Sequence, residues 1–249
     1  MRLVTFLDLD DTLFQTRPKC PPGAPLRPAA FRRDGAELSF MTDQQVRLFE
    51  LLDTAGTVIP TTARNLDAFL RVRLPFRSLA ILDFGGVVLL PDGRPDPAWD
   101  ALVRPSAVAA EAALESVSCS LQAYVADRRL EVSVRLIRDF DLPLYVVLKH
   151  VRGDVAALEA VHAEALSGLD RSRFFVHFSD NNLSVVPRFL GKEKAVGYLL
   201  ETHLAGEPLL TVGVGDSWTD LPFMRRCDFV VSPRHSQLAA ALAGGSEKD

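Results

Sequence analysis

The 249-residue sequence has little cysteine: Cys20, Cys119 and Cys227 are odd in number and too widely spaced for a zinc site or a disulfide framework. Reduced thiols in a reducing compartment fit that usage. Nowhere do about 18 apolar residues follow one another, and the first apolar run is broken by Asp8, so neither a membrane span nor a secretory signal is expected. The cytoplasm is the expected location. No long Lys/Arg block occurs, and 28 Lys plus Arg against 32 Asp plus Glu leave a net charge of −4. That balance offers no electrostatic footprint for nucleic acid or an anionic membrane. What the chain does have is apolar material, 48% of its residues. At this length about three-quarters of the unfolded surface can be buried, so a core needs no metal or disulfide staple.

Continuous apolar, β-branched runs at 3–7, 57–59, 79–82, 209–212 and 229–231 have the texture of parallel strands buried on both faces. Between the first two, Thr42 and Gln45 form a capping box for a helix that buries Val46, Phe49 and Leu52 and stops near Gly56. Before it, Pro18, Pro21, Pro22, Pro25 and Pro28 predict a long surface loop. The middle of the chain reads differently. A helix over 106–126 is followed by period-two strands at 131–136 and 144–151, with a turn at Pro143. A helix over 154–166 and strands at 173–178 and 183–186 around Asp180, Asn181 and Asn182 complete the pattern. The expected architecture is therefore α/β, a Rossmann-like doubly wound parallel sheet (residues 1–84 and 188–249) with an inserted α+β unit (residues 85–187). A helix over 192–203 burying Ala195, Val196, Leu199 and Leu200 returns the chain to the core, and the tail from Gly244 is expected to fray.

Chemistry is sought where strands end, because open α/β sheets place their ligand crevice there. Asp8, Asp10 and Asp11 follow the first strand, with Thr12 placed to bond back into the turn; Asp216 and Asp220 follow the strand at 209–212. Gly213 and Gly215 hint at a dinucleotide fingerprint, but Trp218 stands where its third glycine belongs. Clustered carboxylates without His or Cys suit a hard cation, Mg²⁺ if waters are retained. Thr61 and Thr62 follow the second strand and precede a helix over 65–73, where a hydroxyl and exposed backbone N–H groups suit an anion; plain N-capping is the competing reading. Lys192 opens the helix after the insertion, with Lys194 as the rival candidate for the positive charge.

These residues, in this order, resemble the four motifs of haloacid dehalogenase superfamily phosphatases. Asp8-Leu-Asp-Asp-Thr12 looks like the first, Thr62 the second, Lys192 with Ala195 the third, and Gly215-Asp216 with Asp220 the fourth. The insertion is similar to the large cap of the sugar-phosphatase branch, which includes trehalose-, sucrose- and mannosylglycerate-phosphate phosphatases and phosphomannomutases. That branch commonly carries Gly where Asp11 stands, Gly at Ala63 and Asn at Thr219.

The resemblance implies a Mg²⁺-dependent phosphatase for a small phosphomonoester. Asp8 would be the nucleophile, Asp10 the general acid and base, and Thr62 and Lys192 the phosphate holders. The metal would be held at Asp8, Asp10 (through its backbone carbonyl) and Asp216, with Asp220 either orienting Lys192 or touching the metal's waters. Neighbouring carboxylates are expected to favour the neutral form of Asp10. Thr12, Thr62, Arg64 and Lys192 are candidate substrate contacts in the core. In the insertion the candidates are Arg135, Lys149, His150, Arg152 and His177. Hinges are expected near Gly85 and Gly86 and over 187–191. A phosphomutase, or a catalytically silent binding module on the same fold, is the alternative.

Overall fold

The computed structural model describes residues 1–244. In chain order the first stretch supplies β1 (Arg2–Leu7), β2 (Gln15–Thr16), β3 (Leu26–Phe31), β4 (Glu37–Thr42), α1 (Asp43–Ala55), β5 (Gly56–Pro60), α2 (Leu66–Phe69), β6 (Ala80–Leu82) and β7 (Val87–Leu89). Then come α3 (Pro97–Asp127), β8 (Val132–Asp139), β9 (Leu142–His150), α4 (Val155–Glu164), β10 (Phe174–Ser179) and β11 (Asn182–Pro187). The chain closes with α5 (Lys192–Glu201), β12 (Leu209–Val214), α6 (Leu221–Met224), β13 (Phe229–Val231) and α7 (Gln237–Gly244). Of the tail expected to fray, everything after Gly244 lies outside the described residues.

The chain divides into two compact units, Met1–Trp99 with the residues from Gly191 onward, and Asp100–Leu190. Residues 85–99 belong to the first unit rather than to the insertion. β7 pairs antiparallel with β6, and the Trp99 ring packs 4.9 Å from that of Tyr198 on α5.

In the first unit a parallel sheet of order β13-β12-β1-β5 puts β1 at its centre. Its two-faced apolar runs explain the parallel arrangement, with Val4, Phe6, Leu7, Val58 and Ile59 all buried. β6 joins this sheet only through a parallel bridge between Thr61 and Ile81. β13 forms an edge, and Phe229, Val230 and Val231 are exposed there. Thr42 and Gln45 form the expected capping box on α1, whose Val46, Phe49 and Leu52 are buried.

The proline-rich segment is a loop only in part: Pro18 lies in a 3₁₀ turn and Pro21, Pro22 and Pro25 in irregular chain, but Pro28 lies in β3. β2, β4 and β3 make an antiparallel sheet in that order, and Ala29, Ala30 and Met41 enter the same apolar core as Val46 and Phe49. Pro28 is accommodated beside a register shift in β3, the kind of place where a strand tolerates a missing donor. The helix expected over 65–73 stops at Phe69, because the chain beyond it pairs with β3: Phe31 N–H donates to Arg71 O and Arg73 N–H to Ala29 O. On α5, Ala195, Val196 and Leu199 are buried as expected, but Leu200 is only half-buried.

The second unit is a four-stranded antiparallel sheet of order β10-β11-β9-β8. Leu114 and Leu121 of α3 and Leu158 and Val161 of α4 pack with Val146, Leu148, Leu183 and Val185 on one face. The β8–β9 turn falls at Phe140 and Asp141, both in the left-handed region, and Pro143 lies inside β9 opposite Arg138, where the register shifts. No helix among the described residues is long and apolar enough to cross a membrane.

Candidate active site

The site is built at the carboxyl ends of three adjacent strands. Leu7 is in register with Val214 on one side and Pro60 on the other, so Asp8, Asp216 and Thr62 leave neighbouring strand ends together. Asp8 N–H donates to Val214 O and Thr61 N–H to Leu7 O, which carries the sheet one residue beyond the assigned strands. The Thr12 hydroxyl sits 2.9 Å from Asp8 Oδ2 and 3.3 Å from Asp216 Oδ1, joining two strand ends. Asp8, Asp216 and Asp220 each offer an oxygen within 4.8 Å of the others.

Lys192, the first residue of α5, is buried and donates from Nζ to Asp8 Oδ1 and Asp220 Oδ1, both at 2.6 Å. Lys194, the rival candidate, is exposed. The other oxygen of Asp220 accepts from Ser217 N–H at 3.0 Å and from its hydroxyl at 2.6 Å. Asp220 thus bonds to the lysine through one oxygen and to Ser217 through the other. Ser217, which fixes Asp220, was missed in the sequence; its only signal was its place within the fourth motif-like stretch.

Burial and the charges of Asp220 and Asp216 push the Asp8 carboxyl well above the usual carboxylate range, against the pull of Lys192. Burial, Asp220 and Asp11 push Asp216 up to about 7. Burial opposes ionisation of Asp220, but Lys192 and the Ser217 bonds hold it below its ordinary value. Lys192 is correspondingly held charged by Asp220 and Asp8 despite its burial. Three carboxylates facing one ammonium leave two negative charges to be balanced when all ionise, and the donors are all oxygen. That set, Asp8, Asp216 and Asp220, fits a hard divalent cation such as Mg²⁺.

Asp10 does not join this cluster. Its half-exposed carboxylate receives a two-pronged clamp from Arg64, Nε to Oδ2 and Nη2 to Oδ1, each 2.7 Å. The group that grips this carboxylate is a guanidinium, a partner that the expectation built on the neighbouring carboxylates does not give it. Arg64 is itself placed by donating to Ala68 O, and Asp10 outweighs burial in keeping it charged.

Thr62 is buried at the end of β5, and its hydroxyl oxygen accepts from Arg64 N–H at 3.1 Å. The exposed N–H groups expected here are absent, since Thr61 N–H and Thr62 N–H donate to Leu7 O and Ile81 O. α2 has only four residues, so no helix start serves as an anion site. Asp11 has φ of 60° and pairs with Lys19 from the 3₁₀ turn Arg17–Lys19.

In the second unit, the register lines Arg135, Val147, Ser184 and His177 across the sheet. Lys149 follows two residues after Val147, so Arg135, Lys149 and His177 share the face opposite α3 and α4. His150 and Arg152 do not. His150 is buried with its Nδ1 accepting from the N–H groups of Arg152 and Asp154, and Arg152 pairs with Glu131.

No protein-family model matches the sequence, and no curated protein matches it. Solved structures do. The Candida albicans trehalose-6-phosphate phosphatase C-terminal domain superposes with a TM-score of 0.56 at 15% identity, over 90% of this chain and 73% of that one. The sucrose-phosphatase of Synechocystis, solved with sucrose and phosphate, gives 0.53 at 19% identity over 100% and 90%. A haloacid dehalogenase-like hydrolase from B. subtilis gives 0.50 at 12% identity over 93% and 89%. The chain therefore has the fold of haloacid dehalogenase superfamily phosphatases, a parallel α/β core with an inserted α+β unit.

Proposed function

We propose that this protein is a Mg²⁺-dependent phosphatase that hydrolyses a small phosphorylated metabolite of the sugar-phosphate kind through an aspartyl phosphate on Asp8. The observation that carries the reading is the convergence, at one sheet edge, of a buried Asp8 with Lys192 at 2.6 Å and with Asp216 across Thr12. Asp8, Asp216 and the Asp10 backbone carbonyl would hold the Mg²⁺, which when bound would screen the repulsion between an attacking carboxylate and an anionic phosphate.

An oxygen of Asp8 attacks phosphorus in line, and the bond to the leaving oxygen breaks with its electron pair departing on that oxygen. Lys192 and Thr62 bind the equatorial phosphate oxygens as charge shifts onto them. Asp10 supplies a proton to the leaving alkoxide, then takes one from the water that attacks the phosphoryl group and frees Asp8. Both Asp10 oxygens accept from Arg64 in the structure, so proton donation requires at least one prong of that clamp to open. Arg64 is thereby read as the partner of Asp10 before it is read as a substrate contact.

The substrate class rests on two supports. Two of the similar folds are sugar-phosphate phosphatases by name. The second unit also carries Arg135, Lys149 and His177 on one sheet face, a set of donors suited to hydroxyl recognition. Three free cysteines and the lack of a membrane-spanning helix among the described residues support a cytoplasmic enzyme.

The test is phosphate release from p-nitrophenyl phosphate and a panel of sugar phosphates, with Mg²⁺ and with EDTA. The expected result is metal-dependent release that Asp8→Asn abolishes. Release by Asp8→Asn at the wild-type rate, or none from the wild type with any divalent ion, refutes the reading.

A further inference from the structure

Asp83, Phe84 and Gly85 form a buried turn in which three consecutive residues take left-handed backbone, with φ of 54°, 55° and 92°. Two of the three bear side chains, so the run is strained and persists only because its surroundings hold it. Asp83 N–H donates to Arg64 O at 2.9 Å, and Gly86 N–H closes the turn onto Asp83 O at 2.9 Å. The buried indole of Trp99 donates from Nε1 to Gly85 O at 3.1 Å.

The far side of the turn meets the start of α5. A Cβ on Gly85 would lie 2.3 Å from Gly191 O, 2.7 Å from Gly191 C and 3.1 Å from Lys192 N. Backbone thus packs on backbone with no room for a methyl group, and the obstacle is the peptide that leads into Lys192. The same turn touches Arg64, the partner of Asp10. Gly93 also lies in the left-handed region, at φ 81°, but nothing stands within 4 Å of its Cβ position.

We propose that the Asp83–Gly85 turn is a positioning element for Lys192, and that Gly85 sets where α5 begins and hence where the ammonium group meets Asp8 and Asp220. Gly85 touches no reacting atom and acts through the peptide of Gly191 and Lys192. The role in catalysis rests on Lys192 holding phosphate; the placement of the lysine does not. Adding one methyl group at Gly85 displaces the start of α5, and an error of about 1 Å at such a site is worth on the order of 10²-fold in rate.

The experiment compares full-length wild type, Gly85→Ala, Gly93→Ala and Trp99→Phe. Native-state acetylation of Lys192 by acetic anhydride is followed by mass spectrometry with Lys194 as the internal reference, alongside p-nitrophenyl phosphate kinetics. In Gly85→Ala, Lys192 is expected to label at least tenfold faster relative to Lys194, with kcat reduced at least tenfold. Gly93→Ala bears the same kind of backbone strain and is expected to stay within twofold of wild type in both. Trp99→Phe, which keeps a ring but removes the bond to Gly85 O, is expected to label Lys192 about threefold faster. A folded Gly85→Ala with wild-type labelling of Lys192 overturns the proposal; if that variant does not fold, unchanged labelling in Trp99→Phe overturns it. If Lys192 is unmasked in Gly85→Ala but the wild type releases no phosphate, the positioning role stands and the phosphatase reading fails.

Discussion

Arg64 and Asp10 lie 54 positions apart in sequence, and the guanidinium of one grips both carboxylate oxygens of the other at 2.7 Å. The fork presents two parallel donors, which a lysine cannot imitate. Arg64→Lys keeps the charge but lets Asp10 swing. The expected outcome is a fall in kcat/KM on the order of 10²-fold with the fold intact. Steady-state kinetics beside a circular dichroism spectrum checks it, and wild-type kinetics in this variant contradicts the assignment of Arg64 as the partner of Asp10.

Lys192 is the sole cation bonded to both Asp8 and Asp220 among the described contacts, and all three groups are buried. Lys192→Met leaves buried carboxylates without a counter-charge and is expected to cost about 3–5 kcal/mol at pH 8. Adding Asp220→Asn should recover part of that stability but none of the activity. Urea denaturation of the single and double variants measures both; a single variant as stable as wild type would sink the argument.

The acidic cluster predicts a response to metal that needs no substrate. Mg²⁺ at about a hundred times its dissociation constant should stabilise the folded chain by about 2.7 kcal/mol, and EDTA should remove the gain. Asp216→Asn, which deletes one of the two carboxylates assigned to the ion, should show little shift in its unfolding midpoint on adding Mg²⁺. Equal shifts in both proteins count against Asp216 as a ligand.

Asp96 holds together a second polar centre in the first unit. Its carboxylate accepts from Ala98 N–H, Trp99 N–H and the Tyr198 hydroxyl, and it pairs with His203. Burial opposes ionisation, but the bonds from His203, Trp99, Tyr198 and Ala98 leave its pKa below the usual carboxylate value. A carboxyl whose folded value is depressed stabilises fully above its unfolded value of about 3.9 and loses that contribution as pH falls through the folded value. Asp96→Asn should therefore cost about 1–3 kcal/mol at pH 7, and the gap to wild type should narrow toward about pH 3. Denaturation at the two pH values decides it: a gap that does not change with pH argues against the carboxylate as its source.

Several parts of this architecture could be read from residues alone. Unbroken apolar runs made β1, β5 and β12 visible, and with them the strand ends that carry Asp8, Thr62 and Asp216; β13 has the same kind of run although its residues are exposed at the edge. The α1 cap was legible because Thr42 and Gln45 bond locally. Contacts between distant segments were not. The prolines mark the irregular chain at 20–25 but hid the three-stranded sheet around it, whose middle strand, Glu37–Thr42, is held by partners on both sides. The β8–β9 turn expected at Pro143 falls instead at Phe140 and Asp141, where Asp141 is a residue type that tolerates left-handed backbone and Phe140 is not. The spent N–H groups of Thr61 and Thr62, and the Arg64 clamp on Asp10, depend on which strand ends become neighbours, information absent from either local stretch.

Asp11 occupies a backbone seat that an unbranched hydrogen would fill at less cost, and it does so within the reach of a lysine from the next turn. Positions 11 and 19 are consequently tied together. Glycine at 11 relaxes the loop but removes a carboxylate that pairs with Lys19 and helps to raise the Asp216 carboxyl, whereas losing Lys19 removes that pairing cation from the loop. Changing either residue alone therefore gives up the ion pair, and only the change at 11 relieves the backbone.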